Sequence, residues 1–124
     1  AEANQERNAI SKGNGLLVSN FLKVCHHGSL TSSTPAFLDA IWPASVPQND
    51  RGAFISSGRV PYSGTYIPAK NIVDRLLTYV GHTALLATSA GDEAKTESDA
   101  SRDDNILIVI KPGGSYYYCY SGTN

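Results

Sequence analysis

Methionine is absent, cysteine occurs twice and histidine only three times in 124 residues. The two cysteines, Cys25 and Cys119, lie too far apart in sequence for a CxxC pair or any other local zinc-ligand spacing. Each sits in an apolar or aromatic run, where a free thiol behaves as a small hydrophobe, so two buried thiols are expected rather than a disulfide. That usage leans toward a reducing, cytoplasmic setting. Long apolar runs are missing as well: no stretch approaches the ~20 residues of a membrane span, and AEANQERNAI has neither the basic nor the apolar region of a signal peptide. A chain that starts at Ala1 without methionine reads as a processed or excised product. Strong charge of either sign is lacking too. Ten basic residues against eleven acidic ones give a formal net charge of -1, which supplies no footprint for non-specific phosphate binding and leaves only a local patch.

What is present fits one soluble globular domain, with 41% hydrophobic and 17% charged residues. Residues 1–12 are polar with a thin apolar face around Ala9 and Ile10, compatible with a short helix ended by Gly13, Asn14 and Gly15. LLVSNFLKVC, residues 16–25, predicts a buried strand at least in its second half, stopping at HHGS. Thr34 and Pro35 form an N-cap and N1 pair, and Phe37, Leu38, Ile41 and Trp42 share one helical face before Pro43. AFISSG, residues 53–58, predicts a second strand, and RVPYSGTYIP an irregular loop.

The clearest helix opens at Pro68, repeats Ile72, Val73, Leu76, Leu77 and Val80 at helical spacing, and closes on Gly81. TALLAT, residues 83–88, follows as a third strand, and the alternation implies βαβ units with a partly parallel sheet covered by helices on one face. Residues 89–104 are an acidic stretch without apolar periodicity, expected as a solvated loop within the domain. NILIVIK and SYYYCYS flank Pro112, Gly113 and Gly114, the signature of a final β-hairpin.

Two of the three histidines, His26 and His27, stand side by side at the end of the first strand. A neutral imidazole there is a good zinc ligand, Gly28 lets the backbone turn sharply, and the hydroxyls of Ser29 and of Thr31 to Ser33 offer outer hydrogen bonds. On spacing alone, a partly exposed pair that binds nothing is the commoner use of such neighbours. His82, directly after Gly81, faces the negative end of a helix dipole. Tyr116, Tyr117, Tyr118 and Tyr120 offer either a stacking platform or ordinary sheet packing, of which packing is the commoner use. Asp99, Asp103 and Asp104 lack the glycine turn and terminal glutamate of a calcium loop.

The string LKVCHHGSLTSSTPAFLDAIWP resembles the LKVxHHGSxTSSxxxFLxxxxP signature of the metallo-β-lactamase superfamily, in its ComEC-like competence-protein branch. AFISSGR, residues 53–59, is similar to that branch's next strand, AVISxGxxN, and the likeness runs from residue 16 to 88. The resemblance implies an αββα sandwich in which one histidine of HHGS is a late metal ligand, joined by an upstream HxHxDH motif and an upstream aspartate. By this likeness His26 or His27 is the ligand, with His26 preferred for its place at the strand end, and Ser29 is a second-shell or substrate-facing hydroxyl. The implied cofactor is zinc, one or two ions in the complete protein.

Two departures from the pattern bear on what the chain does. No HxHxDH occurs anywhere in it, whereas a binuclear zinc centre needs several His and Asp ligands to hold two cations ~3.5–4 Å apart. The resemblance therefore implies the carboxyl-terminal half of a sandwich, residues 1–124 forming a single partial domain with a mixed sheet, helices on one face and a final hairpin. Its partner would be the missing amino-terminal half, a second chain, or a second copy meeting it through the exposed sheet face. Thr65 also replaces the histidine of the branch's usual YGHP, which puts transfer of a nuclease activity in doubt. The expected function is a metal-dependent hydrolase of phosphodiester or other ester-like bonds, nucleic acid being one candidate substrate, inactive without its upstream half. The alternative is a non-catalytic α/β binding module that keeps the fold without a metal centre.

Overall fold

The computed structural model describes residues 2–13, 15–57, 61–62, 65–88 and 105–121. Three helices and two kinds of sheet make a mixed α/β fold. Helix α1 (Glu2–Gly13) leads into strand β1 (Phe21–Lys23), a short turn at Cys25–Gly28 and helix α2 (Pro35–Ile41). Strand β2 (Gly52–Ile55) follows, then the two-residue strands β3 (Pro61–Tyr62) and β4 (Thr65–Tyr66), helix α3 (Lys70–Val80) and strand β5 (Leu85–Ala87). Strands β6 (Asn105–Ile110) and β7 (Tyr116–Ser121) close the described chain. The β3–β4 ladder lies inside the stretch expected to be irregular, and residues 89–104, the expected acidic loop, lie outside the described residues.

The central sheet runs in the order β1-β2-β5 with every pair parallel, as the alternation of strands and helices implies. Because side chains alternate across a strand, Leu22, Val24, Ala53 and Ile55 fall on one face. They pack there with Leu38, Ile41 and Trp42 of the α2 region and with Ile72, Leu76 and Val80 of α3. The i, i+4 spacing of the last three puts them on a single stripe of α3, so the helix buries one side and leaves Lys70, Asn71 and Asp74 in solvent. Each fully buried leucine of this kind contributes about 1.5–3 kcal/mol of transfer free energy.

Helix ends follow the expected chemistry at two points and differ at one. Thr34 Oγ1 accepts from Phe37 N, with Pro35 at the first helical position, whose missing N–H would have been unpaired in any case. Gly81 ends α3 at φ 80, a conformation that a side chain resists. Pro68, however, does not open α3; Ala69 is the N-cap and Lys70 the first helical residue. The proline is needed a residue earlier, against the histidine turn.

The opposite face of the sheet carries the alternate residues Phe21, Phe54 and Leu86. The β6–β7 hairpin covers part of it, with Tyr116 edge-on to Phe21 at 4.6 Å between centroids and Tyr118 edge-on to Phe54 at 5.4 Å. Sheet packing is thus the use of these two tyrosines, while Tyr117 and Tyr120 remain exposed. Neither cysteine forms a disulfide, as expected, but both are exposed, against the expectation of burial. Cys25 has passed out of the strand into the turn. Cys119 pairs with Leu107 in the hairpin register and so points away from the tyrosines that meet the sheet.

Candidate functional site: a left-handed turn carrying two histidines

The chain leaves β1 through Val24, whose N–H donates to the Phe54 carbonyl and continues the parallel ladder for one more residue. It then coils the wrong way. His26 (φ 50, ψ 38), His27 (φ 57, ψ 23) and Gly28 (φ 83) all lie in the left-handed region. For residues other than glycine such a backbone costs of order 1–3 kcal/mol each and persists only when its surroundings impose it. Those surroundings can be named.

Gly28 is pressed against the turn that precedes α3. A Cβ at this position would stand 2.7 Å from Pro68 Cβ, and the Gly28 carbonyl accepts from Ala69 N at 2.9 Å. Only glycine fits both the dihedral and the gap. Ser29 N donates back to the His26 carbonyl at 3.1 Å, closing the turn. The Ser32 hydroxyl, buried behind the turn, lies 3.0 Å from the Cys25 carbonyl and 3.1 Å from the Ser29 carbonyl, so it bridges the two ends. Ser29 Oγ itself pairs with Thr31 Oγ1 at 2.9 Å.

The two imidazoles are both exposed but are not equivalent. His27 Nδ1 hydrogen-bonds the Ser56 carbonyl just beyond β2. A carbonyl only accepts, so Nδ1 carries the proton, and a neutral ring then presents Nε2 as a lone pair. This is the arrangement in which a backbone carbonyl fixes the tautomer of a metal-binding histidine. The outer hydrogen bond comes from Ser56, not from the hydroxyls after the turn. His82 is exposed in a separate short turn, His82–Ala84, after α3.

Behind the turn, α1 supplies a carboxylate that sequence reasoning missed. Glu6 is only 6% exposed. It accepts from Ser33 N at 2.6 Å, from Thr34 N at 3.0 Å and from Thr34 Oγ1 at 2.6 Å. Ser33 is the third non-glycine residue at positive φ among the described residues, 57°, and its carbonyl accepts from the Arg75 guanidinium at 3.0 Å. Nothing local marks Glu6 in a polar helix. Its meaning is set by a contact 27 residues away.

In front of the turn a groove of about 470 Å³ opens between the central sheet and the hairpin, floored by Phe21, Phe54, Ile106 and Ile108. Lys23, Ser56 and Thr88, at the carboxyl ends of the three parallel strands or just beyond them, stand at its rim. Crevices outside the carboxyl ends of parallel strands are where open α/β sheets receive ligands. Among the described residues no group of three or more His, Cys, Asp or Glu side chains is arranged to hold a metal ion. The donors therefore fit a single ligand position and do not by themselves fit a metal centre. Thr65 lies in β4.

No protein-family model matches the chain, and no curated protein or solved structure is significantly similar to it. No helix among the described residues is long and apolar enough to cross a membrane.

Proposed function

We propose that this chain is the carboxyl-terminal half of a metallo-β-lactamase-like, ComEC-like hydrolase, and that its histidine turn forms one wall of a zinc site completed by upstream HxHxDH residues. The observation that carries the reading is the left-handed turn itself: two adjacent non-glycine residues held at φ 50 and 57 at a strand's carboxyl end, with the His27 Nδ1 proton engaged by a backbone carbonyl. Strain held at an exposed, polar point has its usual use at a functional site. Of the two imidazoles, His27 is the better ligand because the direction of its Nε2 is fixed by the Ser56 contact, and Ser29 is the neighbouring hydroxyl we assign to substrate or to an outer hydrogen bond. The complete protein would act on phosphodiester or other ester-like bonds, and no step of that chemistry is assigned to this half alone.

The unfinished sheet face supports the same reading. Parallel sheets are normally covered on both faces, and here the second face is left with the open groove and a hairpin apolar on both sides. The occupant we assign is the upstream half of the same domain, whose sheet would close the sandwich. The test is zinc content by elemental analysis of the chain assembled with an HxHxDH-bearing upstream segment. His27→Ala is expected to lose metal and His26→Ala to retain most of it; equal content in both variants and the parent would sink the ligand assignment.

A second reading, a non-catalytic α/β interaction module, keeps the fold and the histidine turn without a metal centre, in line with the lack of a three-donor group among the described residues. It is separated from the first by the upstream coding sequence: without HxHxDH there, catalysis is abandoned.

A further inference from the structure

Histidine enters the left-handed region more readily than most residues, but a non-glycine residue there is uncommon, and two in succession do not follow from their own side chains alone. Something must hold it. On the front, Ser56 takes the His27 proton and Ala69 takes the Gly28 carbonyl. On the back, the Ser32 side chain, 1% exposed, reaches both ends of the turn through the carbonyls of Cys25 and Ser29. Ser32 is in turn fixed by its neighbours, because Glu6 of α1 binds the backbone N–H groups of Ser33 and Thr34 and the Thr34 hydroxyl.

We propose that Ser32, braced by Glu6, is the positioning residue that sets the direction of the His27 imidazole. The hydroxyl sews Cys25 to Ser29, which leaves His26 and His27 too few free dihedrals to relax into the right-handed region. The turn then delivers His27 Nδ1 to the Ser56 carbonyl. Glu6 acts one step further back: it removes two backbone donors from competition and anchors the segment from which Ser32 reaches. Helix α1, whose apolar face is thin, thereby has a purpose that packing alone does not give it. The value of a fixed imidazole rests on the proposed metal reading, but the brace itself involves no metal.

The measurement is nuclear magnetic resonance of the whole chain with neutral imidazoles. Long-range nitrogen–proton correlations report which nitrogen of His27 carries the proton, and amide–α-proton couplings report the backbone of His26 and His27. In the parent a single tautomer protonated at Nδ1 is expected. Ser32→Ala should reduce its share at least two-fold and shift both couplings; Glu6→Ala should do the same to a smaller extent, and Glu6→Gln, which keeps one acceptor oxygen and turns the other into a donor, should fall between Glu6→Ala and the parent. Val80→Ala, at the far end of α3, is the control: it should lower the melting temperature and leave the tautomer alone. Should Glu6→Ala fail to fold, Ser32→Ala and Glu6→Gln carry the test. Variants that melt earlier yet keep the parent tautomer and couplings would overturn the proposal. Because no metal is added, this failure is distinct from a failure of zinc to bind in the assembled protein.

Discussion

The two faces of the β1-β2-β5 sheet are made from neighbouring residues of the same three strands, Phe54 and Leu86 being buried on one as Ala53 and Ile55 are on the other, yet the layers that cover them differ. On the helix side Leu38, Ile55, Ile72 and Leu76 are at most 1% exposed. On the hairpin side an open groove remains, and Leu107, Ile110 and Tyr117 of the covering strands are 42%, 66% and 49% exposed. Hydrophobicity does not distinguish them. The difference lies in cover: α2 and α3 each bring a stripe of apolar residues to their face, whereas the hairpin brings two tyrosines and keeps apolar side chains on its far side as well.

The sharpest way to break this comparison is a pair of deletions. Leu76→Ala, in the closed face, should cost about 2–5 kcal/mol in chemical denaturation. Leu107→Ala, on the outer side of the hairpin, should stay within about 0.5 kcal/mol, as exposed substitutions do. If Leu107→Ala costs as much as Leu76→Ala, the hairpin is covered in solution and the two faces are alike.

The joint between the histidine turn and α3 comes next. Gly28→Ala puts a Cβ 2.7 Å from Pro68 Cβ at φ +83, and a loss of about 1–3 kcal/mol is expected. An unchanged melting temperature would mean that the turn is not pressed against α3. Thr34→Ala removes the cap of α2 and one partner of Glu6, for about 1 kcal/mol. Circular dichroism melts suffice for both.

The smallest effect is alkaline. Burial first, and the hydrogen bond to Asp39 second, push the Tyr79 hydroxyl up to about 12. A raised pKa means that the unfolded chain releases this proton first, so the contribution to stability is complete below about pH 10 and is lost as pH rises toward about 12. On the hairpin side Tyr116 is raised in the same direction by burial and by Asp50. Tyr79→Phe should therefore flatten the alkaline fall in melting temperature more than Tyr116→Phe. A larger effect from Tyr116 would place the tighter environment under the hairpin.

Much of the helix side could be read from the sequence. The Thr34-Pro35 start, the Ile72, Leu76, Val80 stripe and the Gly81 stop are local signals, and each was realised by the element it predicts. The parallel order follows from alternation. Pro68 was legible as a boundary and misplaced by two residues, because its packing against Gly28 is a tertiary fact. The burial of the cysteines was misjudged for a similar reason: alternation along β7 turns Cys119 outward, and an apolar run alone does not say which residues face in.

In the candidate site, the histidine pair, Gly28 and the hydroxyl cluster stood out by type and spacing. Glu6 and Ser56 did not. Glu6 reaches residues 27 and 28 positions away, and Ser56 acts through a backbone carbonyl that any residue there would supply.

The β6–β7 ribbon has a consequence for handling the protein. Each strand has six residues, neither NILIVI nor YYYCYS contains a charge, and no third strand joins them among the described residues. Long, uncharged edges are templates on which further chains add by backbone pairing, and lysine placed along such an edge is the usual gatekeeper against it. Self-association should accordingly begin at this ribbon as concentration rises, and Leu107→Lys should raise the concentration at which aggregates form.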